Sequence, residues 1–265
     1  MARQEISIPD FSLPRAQPFL FERGSHAVLL VHGYTGSVSH LRLVGEGLAE
    51  RNFTVQGINL PGHAKNLDAM KKTGWADWLG ASRNALLALK QRYATVTVLG
   101  LSMGGVISLI LAEEGLPDAV VPVSAPMGVQ NPLMPLAGVL SLVRPYFSWS
   151  SGEPTPQEKL IIPEYNLGYG GFPTRCAVDL SKLINQARAN LDKITCPVLA
   201  IQSRADETIS ADSADIIMNG IRSRNKRVLW LEGLPHVCTA TPGVPRIVAE
   251  VSDFLRSVKS AEDAR

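Results

Sequence analysis

Short runs of Val, Leu and Ile alternate along the chain with longer segments in which apolar residues recur at helical spacing. Continuous apolar runs of this length are typical of strands buried on both faces. The pattern predicts an α/β fold, with a mostly parallel central sheet and helices on both faces. The predicted strands are Ala27–Val31, Phe53–Asn59, Thr95–Leu99, Ala119–Val123, Val198–Gln202 and Arg227–Leu231. The predicted helices lie at about Ser39–Arg51, Trp75–Arg92, Met103–Glu114, Asp212–Gly220 and Pro245–Val258.

This alternation stops between about residues 126 and 190, where Pro, Gly and aromatic residues accumulate. The first half of this stretch, Leu133–Phe147, is apolar but contains Pro135 and Pro145, and the second half ends in a helical pattern over Val178–Leu191. Ordered insertions of this length usually cover or shape a site. We therefore predict a small cap insertion at about residues 126–190.

Composition and charge limit the classes of protein to which the chain can belong. Of the 265 residues, 45% are apolar and 19% are charged, which is typical of a globular protein with a large core. We expect a single domain over residues 1–265 that includes the cap. The formal net charge is only +2 and Lys and Arg form no cluster, so no nucleic-acid partner is expected. A monomer and a homodimer both remain open.

The cysteines and the N-terminus indicate the expected location. Cys176, Cys196 and Cys238 are too few and too scattered for a disulfide framework or a zinc site, so we expect free thiols. The first 21 residues contain three prolines and lack the continuous apolar stretch of a secretory signal. No apolar run reaches the roughly 20 residues that span a bilayer. These features favour a cytoplasmic protein without stable membrane insertion.

A glycine-bounded serine follows the third predicted strand directly. The sequence Gly-Leu-Ser-Met-Gly at residues 100–104 ends that strand and begins a predicted helix. The two glycines allow a tight turn in which the serine adopts a strained backbone and projects its hydroxyl from the end of the sheet. This is the setting of a nucleophile elbow, and it predicts that Ser102 is a nucleophile.

A serine hydroxyl needs a base to take its proton and an acid to orient that base. In a nucleophile-elbow fold these partners follow in the order Ser, Asp, His. His236 is the one histidine after Ser102, and it lies in the loop after the last predicted strand. Asp206 lies in the loop after the preceding strand and is the predicted acid, with Glu207 and Asp212 as nearby alternatives.

The loop after the first predicted strand has the sequence His-Gly-Tyr-Thr-Gly at residues 32–36. In this architecture that loop supplies one main-chain amide to an oxyanion hole, and the residue after the nucleophile supplies the other. The predicted donors are the amides of Tyr34 and Met103. His32 precedes the glycine turn, so we expect it to brace the loop by hydrogen bonding.

These motifs together resemble a known family. HGYTG, LPGH, GLSMGG, RADETIS and PHV, in this order, are similar to those of the bacterial carboxylesterases and monoacylglycerol lipases of the α/β-hydrolase superfamily, and the resemblance extends from about Val28 to Phe254. It implies the α/β-hydrolase fold, hydrolysis through an acyl-enzyme, and no metal or cofactor. It also implies a Ser102, Asp206 and His236 triad with the amides of Tyr34 and Met103. The chain departs from the family at Ala64 and Pro235, where glycine is common in both places and an aromatic residue is common in the second.

The expected function is that of a serine carboxylesterase acting on short- to medium-chain acyl esters of small molecules. A monoacylglycerol lipase is the alternative, and a non-catalytic ligand-binding protein with the hydrolase fold is the second alternative. Transient contact of the apolar cap stretch Leu133–Val143 with a lipid surface stays open. A peptidase is less favoured, because the cap shows no acidic pair that would clearly bind a substrate amine.

Overall fold

The computed structural model describes residues 6–128, 144–149 and 153–258. Its strands are β1 (Phe19–Phe21), β2 (His26–Val31), β3 (Thr54–Ile58), β4 (Thr95–Leu101), β5 (Ala119–Val123), β6 (Tyr146–Ser148), β7 (Gly171–Pro173), β8 (Val198–Ser203) and β9 (Lys226–Leu231). Its α-helices are α1 (Ser39–Glu50), α2 (Leu67–Lys71), α3 (Trp75–Lys90), α4 (Met103–Glu113), α5 (Thr174–Asn190), α6 (Ser213–Gly220) and α7 (Val244–Ser257).

The main sheet has the strand order β1-β3-β2-β4-β5-β8-β9. The edge strand β1 pairs with β3 in the antiparallel direction, whereas every other neighbouring pair in this sheet is parallel. The carboxyl ends of the parallel strands therefore meet at one edge of the sheet. A separate antiparallel pair, β6 and β7, lies in the chain segment between β5 and β8.

Helices cover both faces of the main sheet because successive strand residues point to opposite sides. In β2, Ala27, Leu29 and Val31 belong to the apolar cluster that includes residues of α3, α4 and α5. Val28 and Leu30 belong to the other cluster, with residues of α1 and α7. Burial of each large aliphatic side chain stabilises the fold by about 1.5–3 kcal/mol, so the two layers fix the sheet between them.

The predicted α/β fold is confirmed, and the structure contains each of the six predicted strands and five predicted helices with ends shifted by no more than two residues. Four short elements were missed: β1, α2, β6 and β7. The helix predicted over Val178–Leu191 begins earlier, at Thr174, directly after Pro173. The cap stretch Leu133–Val143 lies outside the described residues. Among the residues that the structure does describe, no helix is long and apolar enough to span a bilayer.

Candidate active site

Ser102 lies at the turn between β4 and α4 with φ of 55° and ψ of −117°. This backbone region is rarely adopted by residues other than glycine, and it turns the serine away from the strand direction. The turn is tight because the residues two positions before and two positions after the serine, Gly100 and Gly104, lack side chains. A Cβ at Gly104 would overlap the carbonyl oxygen of Val31, and a Cβ at Gly100 would overlap the backbone of Gly104. The structure therefore has the predicted nucleophile-elbow geometry.

Three side chains from separate loops meet at this edge of the sheet. His236 Nε2 lies 2.9 Å from Ser102 Oγ, and His236 Nδ1 lies 2.7 Å from Asp206 Oδ2. An ionised Asp206 accepts only, so Nδ1 carries the proton and donates to it. Nε2 is then free to accept the hydroxyl proton of Ser102. The structure thus brings together the three residues that the sequence singled out, in hydrogen-bonding order.

The Asp206 side chain is fully buried but well paired. Its Oδ1 accepts the amide of Thr208 at 2.9 Å and that of Ile209 at 3.4 Å. Burial alone raises the pKa of Asp206, but the hydrogen bond and charge of His236 and these two amides outweigh burial and lower the pKa below its ordinary value. Asp206 is therefore held as a carboxylate. The alternative acids, Glu207 and Asp212, have exposed side chains.

The loop after β2 lies against the serine. A Cβ at Gly33 would be 3.1 Å from Ser102 Cβ and 3.8 Å from Ser102 Oγ, so Gly33 lies directly beside the serine side chain. Met103 is the first residue of α4, and its amide is one of those at a helix start that have no carbonyl partner within the helix. Both predicted oxyanion donors thus belong to backbone that adjoins Ser102.

His32 holds this loop in place, as predicted. Its Nε2 accepts the amide of Leu60 at 3.0 Å, so its Nδ1 carries the proton and donates to the carbonyl of Gly33 at 2.8 Å. A turn follows in which Thr35 has φ of 62° and the amide of Gly36 donates to the carbonyl of Gly33. Burial lowers the pKa of His32 well below its ordinary value, so the ring is neutral.

Residues of the cap segment close over the loop. The Ser37 hydroxyl donates to the carbonyl of Leu167 at 2.7 Å, and the Ser39 hydroxyl donates to that of Tyr165 at 2.9 Å. The amide of Tyr169 donates to the carbonyl of Thr35 at 2.9 Å. The cap is therefore anchored beside the candidate oxyanion hole.

A cavity of about 950 Å³ opens onto Ser102 and His236. One part of its wall is aromatic, where the ring of Phe172 lies 5.4 Å from that of Tyr34 and 4.7 Å from that of Trp149. Apolar side chains of α5 also line the cavity, at Leu180 and Ile184. Polar lining comes from Thr155, Gln157, Glu158, Asn166, Glu207 and Thr208. The cavity therefore offers both an apolar and a polar surface to a ligand.

Sequence reasoning missed several residues of this cavity. The cap carries Glu153 and Glu158 on the cavity wall, although the sequence showed no clear acidic pair there. His40, in the first turn of α1, also lines the cavity. No local signal marks Glu153 and Glu158, because these two residues reach the site only through the path of the cap. Within the described ranges, no group of three His, Cys, Asp or Glu side chains could hold a metal ion.

The parallel sheet and the serine elbow at its carboxyl edge define an enzyme of the α/β-hydrolase class. Residues 23–240 match the family described as Serine aminopeptidase, S33. The chain belongs to this family, whose match covers most of its length.

Two curated relatives cover nearly the whole chain. A thermostable monoacylglycerol lipase of Bacillus sp. (strain H-257) is 35% identical over 245 residues, which are 92% of this chain and 95% of the relative. A carboxylesterase of Bacillus subtilis (strain 168) is 32% identical over 243 residues, which are 91% of this chain and 97% of that protein. The chain is thus similar to ester-hydrolysing enzymes of both kinds.

Solved structures have the same fold. One solved structure comes from work on two metagenome-derived lipolytic enzymes, LipS and LipT. It superposes on this chain with a TM-score of 0.85 at 27% identity, and the match covers 92% of this chain and 98% of that one. A monoacylglycerol lipase of Paleococcus ferrophilus has a TM-score of 0.75 at 19% identity, covering 91% and 98% of the two chains. The second likeness concerns the fold alone.

Proposed function

We propose that this protein is a serine carboxylesterase that hydrolyses short- to medium-chain acyl esters through an acyl-enzyme. The observation that carries the proposal is the unbroken hydrogen-bonded chain from Asp206 through His236 to Ser102. It is supported by the names of the two Bacillus relatives, both of which denote enzymes acting on carboxylic esters. The apolar wall of the cavity gives an acyl chain a surface on which to pack.

In the proposed acylation step, Ser102 Oγ attacks the ester carbonyl while His236 Nε2 takes its proton. The amides of Tyr34 and Met103 stabilise the negative charge that develops on the carbonyl oxygen. The carboxylate of Asp206 stabilises the imidazolium that forms. His236 then gives the proton to the leaving oxygen, the bond between this oxygen and the acyl carbon breaks, and the alcohol departs.

In the proposed deacylation step, a water molecule replaces the alcohol beside His236. His236 takes a proton from this water as the water oxygen attacks the acyl carbon, and the same two amides receive the oxyanion charge. Collapse of the second tetrahedral intermediate returns the proton to Ser102 and releases the acid. The acyl chain packs during both steps against the aromatic rings of Tyr34, Trp149 and Phe172.

The direct test is Ser102→Ala, measured as hydrolysis of p-nitrophenyl butanoate. We expect kcat/KM to fall by about 10³–10⁶-fold with an unchanged circular dichroism spectrum, because the nucleophile is removed and the fold is not. Ser257→Ala, at the exposed end of α7, serves as the matched control and should keep wild-type activity. Retention of most activity by Ser102→Ala would end the proposal. Multiple turnovers by the wild type would exclude a protein that only binds ligands.

A monoacylglycerol lipase is the second candidate, favoured by the 35% identical relative of that name. The two activities differ in the alcohol that the cavity must hold. Rates that peak with butanoyl to hexanoyl esters, without hydrolysis of monoacylglycerols, favour the esterase. Efficient hydrolysis of longer monoacylglycerols favours the lipase.

A further inference from the structure

The loops that carry Asp206 and His236 leave the main sheet side by side. Strands β8 and β9 are parallel neighbours, and their last residues, Ser203 and Leu231, are partners in the register. The amide of Arg204 continues this pairing by one step, since it donates to the carbonyl of Leu231 at 2.9 Å. Each chain then continues as a loop. The 2.7 Å contact between the carboxylate and the imidazole therefore depends on how the two loops are held together.

The side chain of Ser203 joins these two loops. Its hydroxyl donates to the carbonyl of Leu234 at 2.6 Å and accepts the amide of Ala205 at 3.2 Å. A serine hydroxyl has one proton to donate, so these two bonds fix its orientation. Ser203 is only 1% exposed, and the bonds therefore form largely out of contact with solvent. One hydroxyl thus connects the residue before Asp206 with the residue two positions before His236.

On the side of the base, the position of Leu234 determines that of His236. The Leu234 side chain packs against the apolar cluster that includes residues of α1 and α7, and a Cβ at Gly243 would overlap its Cδ1 atom. Its carbonyl is held by Ser203. Pro235 follows directly, and its ring fixes one of the backbone angles that separate Leu234 from His236. A shift of the Leu234 carbonyl is therefore transmitted to the imidazole.

On the side of the acid, neighbouring residues of β8 hold the two ends of the loop that carries Asp206. At the near end, the amide of Asp206 donates to the main-chain carbonyl of Ser203 at 3.3 Å, beside the bond from Ala205 to the Ser203 hydroxyl. Successive strand residues point to opposite faces, so Gln202 reaches the far end from the other side. The Gln202 side chain bonds there to three backbone groups, the carbonyls of Ser210 and Ala211 and the amide of Ala214.

We propose that Ser203 is a positioning residue, whose hydroxyl sets the distance between the Asp206 carboxylate and the His236 imidazole. Ser203 is not among the described residues that line the cavity, so it acts through these two side chains and not on the substrate. No bond to Ser203 forms or breaks during the reaction. This inference depends on the proposed ester hydrolysis, because only a turnover rate reports how well the triad is aligned.

The first test is Ser203→Ala, measured as hydrolysis of p-nitrophenyl butanoate. We expect kcat to fall by about 10–100-fold, because a small displacement of a catalytic group lowers the rate steeply. KM should stay within about twofold of the wild-type value, because the cavity is unchanged. Urea unfolding gives the folded fraction by which each rate is corrected.

Two further variants support this measurement. Ser252→Ala in α7 is the matched control, since Ser252 is also 1% exposed and its hydroxyl donates to the carbonyl of Val248 at 2.6 Å. It should keep the wild-type kcat. Ser203→Cys nearly preserves the size of the side chain but replaces the hydroxyl with a thiol, which is a weak donor and acceptor. We expect it to lower kcat by about tenfold, so the inference remains testable where the alanine variant does not fold.

The second test asks whether the effect of Ser203 depends on Asp206. Both Ser203 variants are also made in the Asp206→Asn background, in which the carboxylate that Ser203 positions is already absent. We expect them to lower kcat there by no more than about threefold, because residues that act through one another lose activity non-additively. A general disturbance of the fold, in contrast, lowers kcat by the same factor in both backgrounds.

The inference and the proposed function fail in different ways. If the wild type hydrolyses the ester and the Ser203 variants keep kcat within about twofold, the positioning role is wrong and the esterase proposal stands. The same conclusion follows if the losses are equal in the two Asp206 backgrounds. If the wild type hydrolyses no ester, the esterase proposal is wrong and the inference falls with it.

Discussion

Three residues with unfavourable backbone angles cluster at the candidate site. Thr35, Ser102 and Ser124 all have positive φ, and they follow β2, β4 and β5, which are neighbours in the main sheet. A non-glycine residue in this region costs about 1–3 kcal/mol and persists only where the surrounding packing enforces it. The amide of Ser102 donates to Val123 at 2.8 Å and that of Ser124 to Ile201 at 2.8 Å. Sheet hydrogen bonding therefore extends into the strained turns and holds them.

Asp206 gives a prediction at the scale of one residue. Asp206→Asn keeps the size of the side chain but removes the negative charge that fixes the proton on His236 Nδ1. We expect kcat for p-nitrophenyl butanoate to fall by about 10³–10⁴-fold, because His236 is no longer held in the tautomer that accepts from Ser102. Steady-state kinetics at neutral pH measures this loss.

Asp212→Asn is the control for this prediction. Asp212 lies in the same loop region, is exposed, and accepts a hydrogen bond from Ser210. Its variant should have near wild-type kcat. Equal losses in the two variants would contradict the role given to Asp206.

How far single residues could be predicted depends on where they lie relative to the strands. Ser102, Asp206 and His236 each follow a long apolar strand, so their convergence at one sheet edge follows from the parallel pattern. Glu153 and Glu158 follow no such rule. Their place in the cavity depends on how the cap folds back, and the cap lacks regular periodicity.

At the scale of elements, the length of each strand determined whether the sequence predicted it. The long parallel strands have continuous apolar runs and were predicted. β1, β6 and β7 have three residues each, which is too short for a recognisable period. β6 and β7 are also paired across more than 20 residues of chain, so no local hairpin signal exists. The start of α5 was missed because residues 174–177 add one turn of helix before the segment in which the helical pattern was recognised.

Two glycines in helices give a prediction at this scale. Gly80→Ala in α3 should raise the free energy of unfolding by about 0.5–1 kcal/mol, because a Cβ there meets no neighbour and alanine favours the helix. Gly104→Ala in α4 should lower it by about 2–4 kcal/mol and abolish esterase activity, because the new Cβ overlaps the carbonyl of Val31. Urea unfolding of both variants measures these changes. Similar stabilities would contradict the close approach of α4 to β2.

At the scale of the whole molecule, the layered core buries titratable groups as well as apolar ones. Burial lowers the pKa of His26, His40 and His63 to about 4, and it also lowers the pKa of His32 well below its ordinary value. Burial also raises the pKa of Glu113, at the end of α4, to about 8. These groups are neutral in the native state near pH 6 and ionise on unfolding, so they link stability to pH.

The free energy of unfolding should therefore be greatest near pH 6.5. As the pH falls from about 6.5 to 4, the unfolded chain binds protons at histidines that stay neutral in the native state, so stability is lost by up to about 1.4 kcal/mol per pH unit for each histidine. Glu113 acts in the opposite direction, because between its unfolded and native pKa only the native state binds the proton. The contribution of Glu113 therefore lowers the free energy of unfolding as the pH rises toward 8.

Urea unfolding at pH 5, 6.5 and 8 measures this dependence. His26→Gln should reduce the loss of stability between pH 6.5 and pH 5 by the contribution of about one proton, because the variant has no titrating group at that position. Glu113→Gln should remove the decline on the alkaline side. A stability that is constant across this range would contradict the buried neutral states.

The central claim is that Ser102, His236 and Asp206 act as one catalytic unit. The most direct measurement is kcat for p-nitrophenyl butanoate in Ser102→Ala, in His236→Ala and in the double variant. Residues that act together lose activity non-additively, so the double variant should be no slower than the slower single variant. Losses that multiply in the double variant, or a single variant with near wild-type kcat, would contradict the claim.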